Sequence, residues 1–145
     1  MITVREAKEQ DFPFIIALIK NELGYPDLIE TKAYKRLEYF DKNDDWVTFV
    51  AIDEDDVVGF IGVKKNSLSY GIEGYNSEIK ALAVSDKVRN KGVGTALIKS
   101  AEDWSLSHGV DVIRLTCSLN RTGSHTFYEK NGYRKISYAF IKHCE

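Results

Sequence analysis

Arg89-Asn90-Lys91-Gly92-Val93-Gly94-Thr95 decides how this chain is read. Before it, Ser77 to Val84 has the character of a strand, followed by the polar run Ser85 to Lys91. After it a helix begins near Gly92, with Val93, Leu97, Ile98, Ala101 and Trp104 as its apolar stripe, and ends near His108-Gly109. Two glycines let backbone amides approach a ligand closely. The first amides of a helix lack internal partners, and the helix dipole favours an anion there. Lys87, Arg89 and Lys91 raise the local positive potential. These residues suit a diphosphate, and by themselves they suit a plain structural turn as well. A P-loop needs Lys-Ser/Thr directly after the last glycine, whereas Thr95-Ala96 follows Gly94. A dinucleotide fingerprint needs a third glycine where Leu97 stands.

On the N-terminal side, Ile2 to Ala7 reads as a strand. Asp11 suits a helix N-cap, and Phe12, Ile15, Ile16, Ile19 and Leu23 follow at helical spacing until Gly24 and Pro26 end the helix. A second helix is expected from about Thr31 to Asp41. Trp46 to Ile52 and Val57 to about Ser67 flank the acidic turn Asp53-Glu54-Asp55-Asp56 as an antiparallel hairpin, and Gly71 and Gly74 mark the next reversal. On the C-terminal side, Val110 to Cys117 reads as a strand buried on both faces, Thr122 to Lys130 as a short helix and Tyr133 to Ile141 as a last strand. The order β-α-α-β-β-β-α-β-α-β gives a mixed α/β chain with helices on the faces of one sheet.

The chain has 145 residues, 43% apolar and 29% charged, which fits one soluble domain spanning residues 1–145 and argues against disorder. With 20 basic and 22 acidic residues the formal net charge is −2, which disfavours general nucleic-acid binding. The apolar run Phe12 to Ile19 is far too short to span a membrane, and the start lacks a signal-peptide core. Cys117 and Cys144 make neither a metal-ligand spacing nor a disulfide framework; reduced thiols in a cytoplasmic protein with no metal are expected.

Three segments together resemble the GCN5-related N-acetyltransferase (GNAT) superfamily. Arg89-Asn90-Lys91-Gly92-Val93-Gly94 matches its Arg/Gln-x-x-Gly-x-Gly/Ala signature, Leu82-Ala83-Val84 is similar to its Leu-x-Val strand end, and Phe127-Tyr128-Glu129-Lys130-Asn131-Gly132-Tyr133 resembles its Phe-Tyr-x-x-x-Gly-Phe/Tyr segment. The resemblance implies a mixed, mostly antiparallel sheet of six to seven strands flanked by about four helices. It implies acetyl-CoA as cosubstrate, with the diphosphate on Arg89, Asn90, Lys91, Gly92, Val93, Gly94 and Thr95. The pantetheine arm would add itself to the edge at Leu82, Ala83 and Val84, and the amide near Leu82 could meet the acetyl oxygen. Pairing of two chains is also implied, since family members often dimerise.

Acetyl transfer to an amine needs an unprotonated amine, a stabilised oxygen and a protonated leaving thiolate; a free alkyl ammonium has a pKa of about 10.4. The resemblance makes Tyr128 the general acid beside the CoA sulfur; on the residues alone it is a half-buried packing tyrosine. Glu78 stands eleven residues before Arg89, where histone acetyltransferases of the superfamily place a general base. On an unbulged strand it shares a face with Leu82 and Val84; paired with Lys80, it is an ordinary surface carboxylate. Asn120 stands one residue further from Tyr128 than the family's arm-binding asparagine, with Arg121 in the usual place; it is a cofactor contact or a cap for the helix near Thr122. Ser124-His125 makes no hydrolase triad, since no Gly-x-Ser-x-Gly elbow is present. Glu22, Tyr25, Asp27, Glu30 and Tyr34 suit the acceptor side, where carboxylates and aromatics would receive an ammonium.

The expectation is an acetyl-CoA-dependent N-acetyltransferase acting directly on a primary amine of a small molecule or peptide. The alternative is a CoA-binding sensor or interaction module without turnover.

Overall fold

A computed structural model describes residues 1–66 and 74–144. The elements are β1 (Ile2–Glu6), α1 (Phe12–Glu22), α2 (Glu30–Asp41), β2 (Trp46–Asp53), β3 (Asp56–Asn66), β4 (Asn76–Val84), α3 (Val93–Ser107), β5 (Ile113–Leu115) and α4 (Thr122–Lys130), with 3-10 turns at Glu9–Asp11 and Asp86–Val88. The strands form one sheet in the order β1-β2-β3-β4-β5, antiparallel from β1 through β4. The expected strand end at Ser67 and the reversal at Gly71 lie outside the described residues. The chain divides into a unit of Met1–Arg114 and a smaller one of Leu115–Glu145.

In the larger unit the sheet has a helical layer on each face. Residues paired across strands share a face. The row Val50, Phe60 and Ala83 meets Phe12, Ile15 and Ile16 of α1 and Ala33 and Leu37 of α2 in one buried cluster. The alternate row Ala51, Gly59 and Val84 faces α3. A Cβ at Gly59 would lie 3.1 Å from Leu97 Cδ1 and 3.3 Å from Val93 Cγ1, so glycine there permits close packing of the helix. Ser105 of α3 and Ser77 of β4, both fully buried, satisfy each other through a 2.8 Å bond between hydroxyls.

β4 contains a bulge. Adjacent residues Gly62 and Val63 pair with Ala81 and Ile79, so Lys80 is an extra residue with no register partner. The bulge reverses the facing of everything before it. Ile79 shares the α3 face with Leu82 and Val84, while Glu78 joins Lys64 and Trp46 on the α1/α2 face. The expectation that Glu78 shares a face with Leu82 and Val84 is therefore corrected; it assumed a regular ladder.

Three other expectations change. The strand expected over Val110 to Cys117 is shortened to Ile113–Leu115, because Val110 still closes α3: its amide bonds Ser105 O at 2.9 Å while Gly109 bonds Leu106 O at 3.2 Å, with Gly109 at φ +77°. Two-sided burial is not found either, since Val112 is exposed. Asp11 precedes α1 as expected, but its carboxylate does not cap that helix; it turns back to the Lys8 amide at 2.7 Å and to Arg5. In the smaller unit no strand forms over Tyr133 to Ile141, and Ile136, Tyr138, Phe140 and Ile141 are exposed. The sheet accordingly has five strands among the described residues rather than six or seven.

Candidate active site

The β4–α3 connection has the geometry that suits an anion. Ser85 organises its start, accepting from the Lys87 amide on Oγ at 3.3 Å and from the Val88 amide on its carbonyl at 3.1 Å. Val88 is buried and anchors the turn. Asn90 and Gly92 then adopt left-handed conformations, at φ +67° and +80°. Gly92 occupies the N-cap of α3 and supplies no side-chain oxygen, so no side-chain cap bond closes the helix start. The opening amides of Val93, Gly94 and Thr95 therefore remain for a ligand. Lys87, Arg89 and Lys91 are all exposed around them. These residues fit a diphosphate: amide donors, a dipole end and three cations converge on one turn.

Leu82, Ala83 and Val84 lead directly into that turn. Their paired edge is taken by Ile61, Phe60 and Gly59 of β3. On the other edge of β4, the Ser77 amide bonds Val112 O at 2.9 Å, just before β5. β5 ends three residues after Val112, whereas Leu82 lies five beyond Ser77. The outer edge at Leu82–Val84 lies five to seven residues beyond that bond, and a strand edge left open is where an extended ligand can add itself.

Glu78 sits on the α1/α2 face with a partner of its own, Lys80 Nζ at 3.3 Å from its Oε2. The carboxylate is partly exposed and held as an ion pair.

The smaller unit gathers Tyr128, Cys117, Arg121 and His125. Burial pushes the Tyr128 phenol above its ordinary pKa, the nearby Cys117 adds to the rise, and Arg121 opposes it. The Tyr128 ring packs edge-on against Phe127 and Tyr133, with centroids 5.4 and 6.1 Å apart. Its carbonyl accepts from the Tyr133 amide at 3.1 Å, fixing the end of α4. His125 Nε2 lies 2.8 Å from Ser118 O, which ties α4 to the preceding turn. Asn120 is exposed in that turn, where its amide bonds Ser118 Oγ at 3.4 Å. The N-cap position of α4 belongs to Arg121, not to Asn120.

The acceptor-side candidates do not form one cluster. Glu30 pairs with Lys20 at 3.0 Å, and Tyr34 donates a short hydrogen bond to Glu9 that raises the phenol pKa to about 12. Both line an open groove of about 510 Å³ between α1 and α2, with Pro13, Ile16 and Thr31. Tyr25 and Asp27 are exposed in the connecting loop. Glu22 belongs elsewhere: its Oε1 takes the guanidinium of Arg89, and its Oε2 lies 3.4 Å from the Asp86 amide. Sequence reading missed this contact, because 67 residues separate Glu22 from Arg89 and no local pattern links them.

A strand–turn–helix passage of this kind, in a mixed sheet covered by helices on both faces, is an architecture shared with known proteins. The model of the acetyltransferase (GNAT) family matches residues 6–133. The chain is 27% identical over 153 residues to the aminoalkylphosphonate N-acetyltransferase of Salmonella typhimurium, covering 96% of this chain and 89% of that protein. Solved structures share the fold, two of them as follows. An aminoglycoside N-acetyltransferase, AAC(6')-Iy, in complex with CoA superposes with a TM-score of 0.89 at 16% identity, covering 99% of this chain and 95% of that one. A transcriptional regulator from Bacillus halodurans superposes with a TM-score of 0.91 at 20% identity, covering 99% and 100%. This chain belongs to the acetyltransferase (GNAT) family and is an enzyme of the N-acetyltransferase class.

Proposed function

We propose that residues 1–145 act as one domain that passes the acetyl group of acetyl-CoA directly to a primary amine of a small molecule or peptide, without an acyl-enzyme. The observation that carries this reading is the uncapped start of α3 at Gly92, with exposed Lys87, Arg89 and Lys91 around it. The family match supports it, running from residue 6 to residue 133 through both units. The thioester supplies an activated acetyl group; the chain supplies placement, charge and protons.

Arg89 to Thr95 hold the diphosphate through amides and cations. The outer edge of Leu82, Ala83 and Val84 pairs with the pantetheine amides, and the amide near Leu82 faces the acetyl oxygen as negative charge grows on it. Asn120 is a further contact for the arm. Tyr128 is the general acid: burial keeps its phenol protonated, ready to donate to the departing thiolate. Glu78, on the α1/α2 face, serves as base for the incoming ammonium, directly or through water, once Lys80 yields its carboxylate. Carboxylates and aromatics of the α1–α2 side receive the acceptor. A cytoplasmic location, pairing of two chains, independence from metals and absence of nucleic-acid or membrane partners belong to the same reading.

An acceptor screen tests it. Thiol release from acetyl-CoA is followed over a panel of amino acids, polyamines, aminoalkylphosphonates, aminoglycosides and peptides, with product mass measured. A product heavier by one acetyl group is the expected result. Thermal stabilisation by acetyl-CoA with no turnover on any amine would favour the sensor reading instead.

A further inference from the structure

Glu22 ends α1, the helix of the acceptor side, yet its carboxylate is spent on the donor turn. It accepts from the Arg89 guanidinium and lies 3.4 Å from the Asp86 amide at the start of the adjoining 3-10 turn. The pair is unequal. The Glu22 side chain is 14% exposed and the Arg89 side chain 56%. The carboxylate is the fixed member and the guanidinium the presented one. An arginine fork carries five N–H donors, and one carboxylate cannot occupy them all, so a second edge faces outward. Asn90, Lys91 and Gly92 follow directly, and the phosphate oxygens are expected there.

We propose that Glu22 is a positioning residue for the acetyl donor, acting through Arg89. It holds the guanidinium where the free edge meets the diphosphate. An unheld arginine would surrender much rotamer freedom on gripping a phosphate; one already fixed does not. The negative charge of Glu22 is offset by its partner, while Lys87 and Lys91 keep the turn positive. The inference rests on the N-acetyltransferase reading above.

The test is a double-mutant cycle read by calorimetric titration with CoA, with melting temperature followed alongside. The proteins are the wild-type chain, Glu22→Ala, Glu22→Gln, Arg89→Ala and the double Glu22→Ala/Arg89→Ala. Glu22→Ala is expected to weaken CoA about fivefold with little change in melting temperature. The double variant should bind no more weakly than Arg89→Ala alone, because Glu22 acts through Arg89. Glu22→Gln keeps an oxygen for the guanidinium and removes a charge near the diphosphate, so it should recover most of the loss. If Glu22→Ala does not fold, Glu22→Met, which keeps the length and removes the carboxylate, takes its place in the cycle with Glu22→Met/Arg89→Ala. Tight binding by the wild type with Glu22→Ala unchanged, or losses that simply multiply in the double variant, would overturn this proposal alone. Absence of CoA binding by the wild type would overturn the functional reading and this proposal with it.

Discussion

Arg5 and Asp11 form a two-point ion pair at the foot of α1, with Nη1 to Oδ2 at 2.7 Å and Nη2 to Oδ1 at 3.0 Å. Asp11 is almost fully buried and also accepts from the Lys8 amide. The pair links β1 to the turn that launches α1. The Arg5 hydrogen bond, followed by the Lys8 amide, holds the Asp11 carboxyl below its ordinary range against the opposing effect of burial. Its stabilisation is therefore complete above the unfolded carboxyl pKa of about 3.9 and is lost as pH falls through the lower folded value. Asp11→Ala should remove roughly 2–3 kcal/mol, since it leaves a charged donor unmatched. Urea denaturation at neutral pH, repeated at about pH 3, checks both claims; a variant as stable as wild type at neutral pH would contradict them.

Gly59→Ala tests the close seating of α3. The new methyl would stand 3.1 Å from the Ala83 carbonyl oxygen as well as from Leu97 Cδ1, and backbone oxygen cannot swing aside. A loss of about 1–3 kcal/mol is expected, with weaker CoA binding as the helix start shifts. An unchanged melting temperature would show that the helix has slack here.

Gly92 presents the opposite case. A Cβ there would meet nothing within 4 Å, but φ is +80°. The penalty of Gly92→Ala is conformational, about 1 kcal/mol, and Gly92→Asn should be milder than Gly92→Val. CoA affinities ranked Gly, Asn, Ala, Val are the expected readout; indifference to the substitution would mean the left-handed turn is dispensable.

Lys91→Glu reverses a charge beside the start of α3. CoA affinity should fall, most strongly at low salt, because exposed charges are screened over about 10 Å at 0.1 M. A loss independent of salt would point to geometry rather than electrostatics.

Tyr128→Phe should lower turnover by about a hundredfold while leaving CoA affinity within about twofold. Burial raises the phenol pKa, so its acid form persists through neutral pH, and any decline of wild-type kcat caused by its ionisation should fall above the ordinary phenol range. Equal losses in kcat and CoA affinity would contradict the acid role.

The strand–turn–helix from β4 to α3 was legible because its signals are local: an apolar strand, two glycines and an amphipathic helix within one short stretch. α1, α2, the hairpin and α3 were legible for the same reason, since period and turn chemistry lie within each segment. The facing of Glu78 was not, because it depends on how β4 counts against β3, and nothing within β4 announces Lys80 as the extra residue. The Tyr133 to Ile141 stretch carries strand-like alternation, but a strand also needs a partner for its backbone, which alternation does not supply. Glu22 was placed on the acceptor side by neighbourhood; its partner on the donor turn became visible only in three dimensions.

The bulge at Lys80 decides which side chains of β4 reach the interior. Removing that one residue would restore an even count against β3 with Ile79 still opposite Val63 and Glu78 still opposite Lys64. Keeping Lys80 while ironing out the kink would exchange them: Glu78 would then press its carboxylate toward α3, and Ile79 would take the opposite side. Charge stays out of that interior only because the ladder skips a residue, so selection acts on the kink in β4 as much as on its side chains.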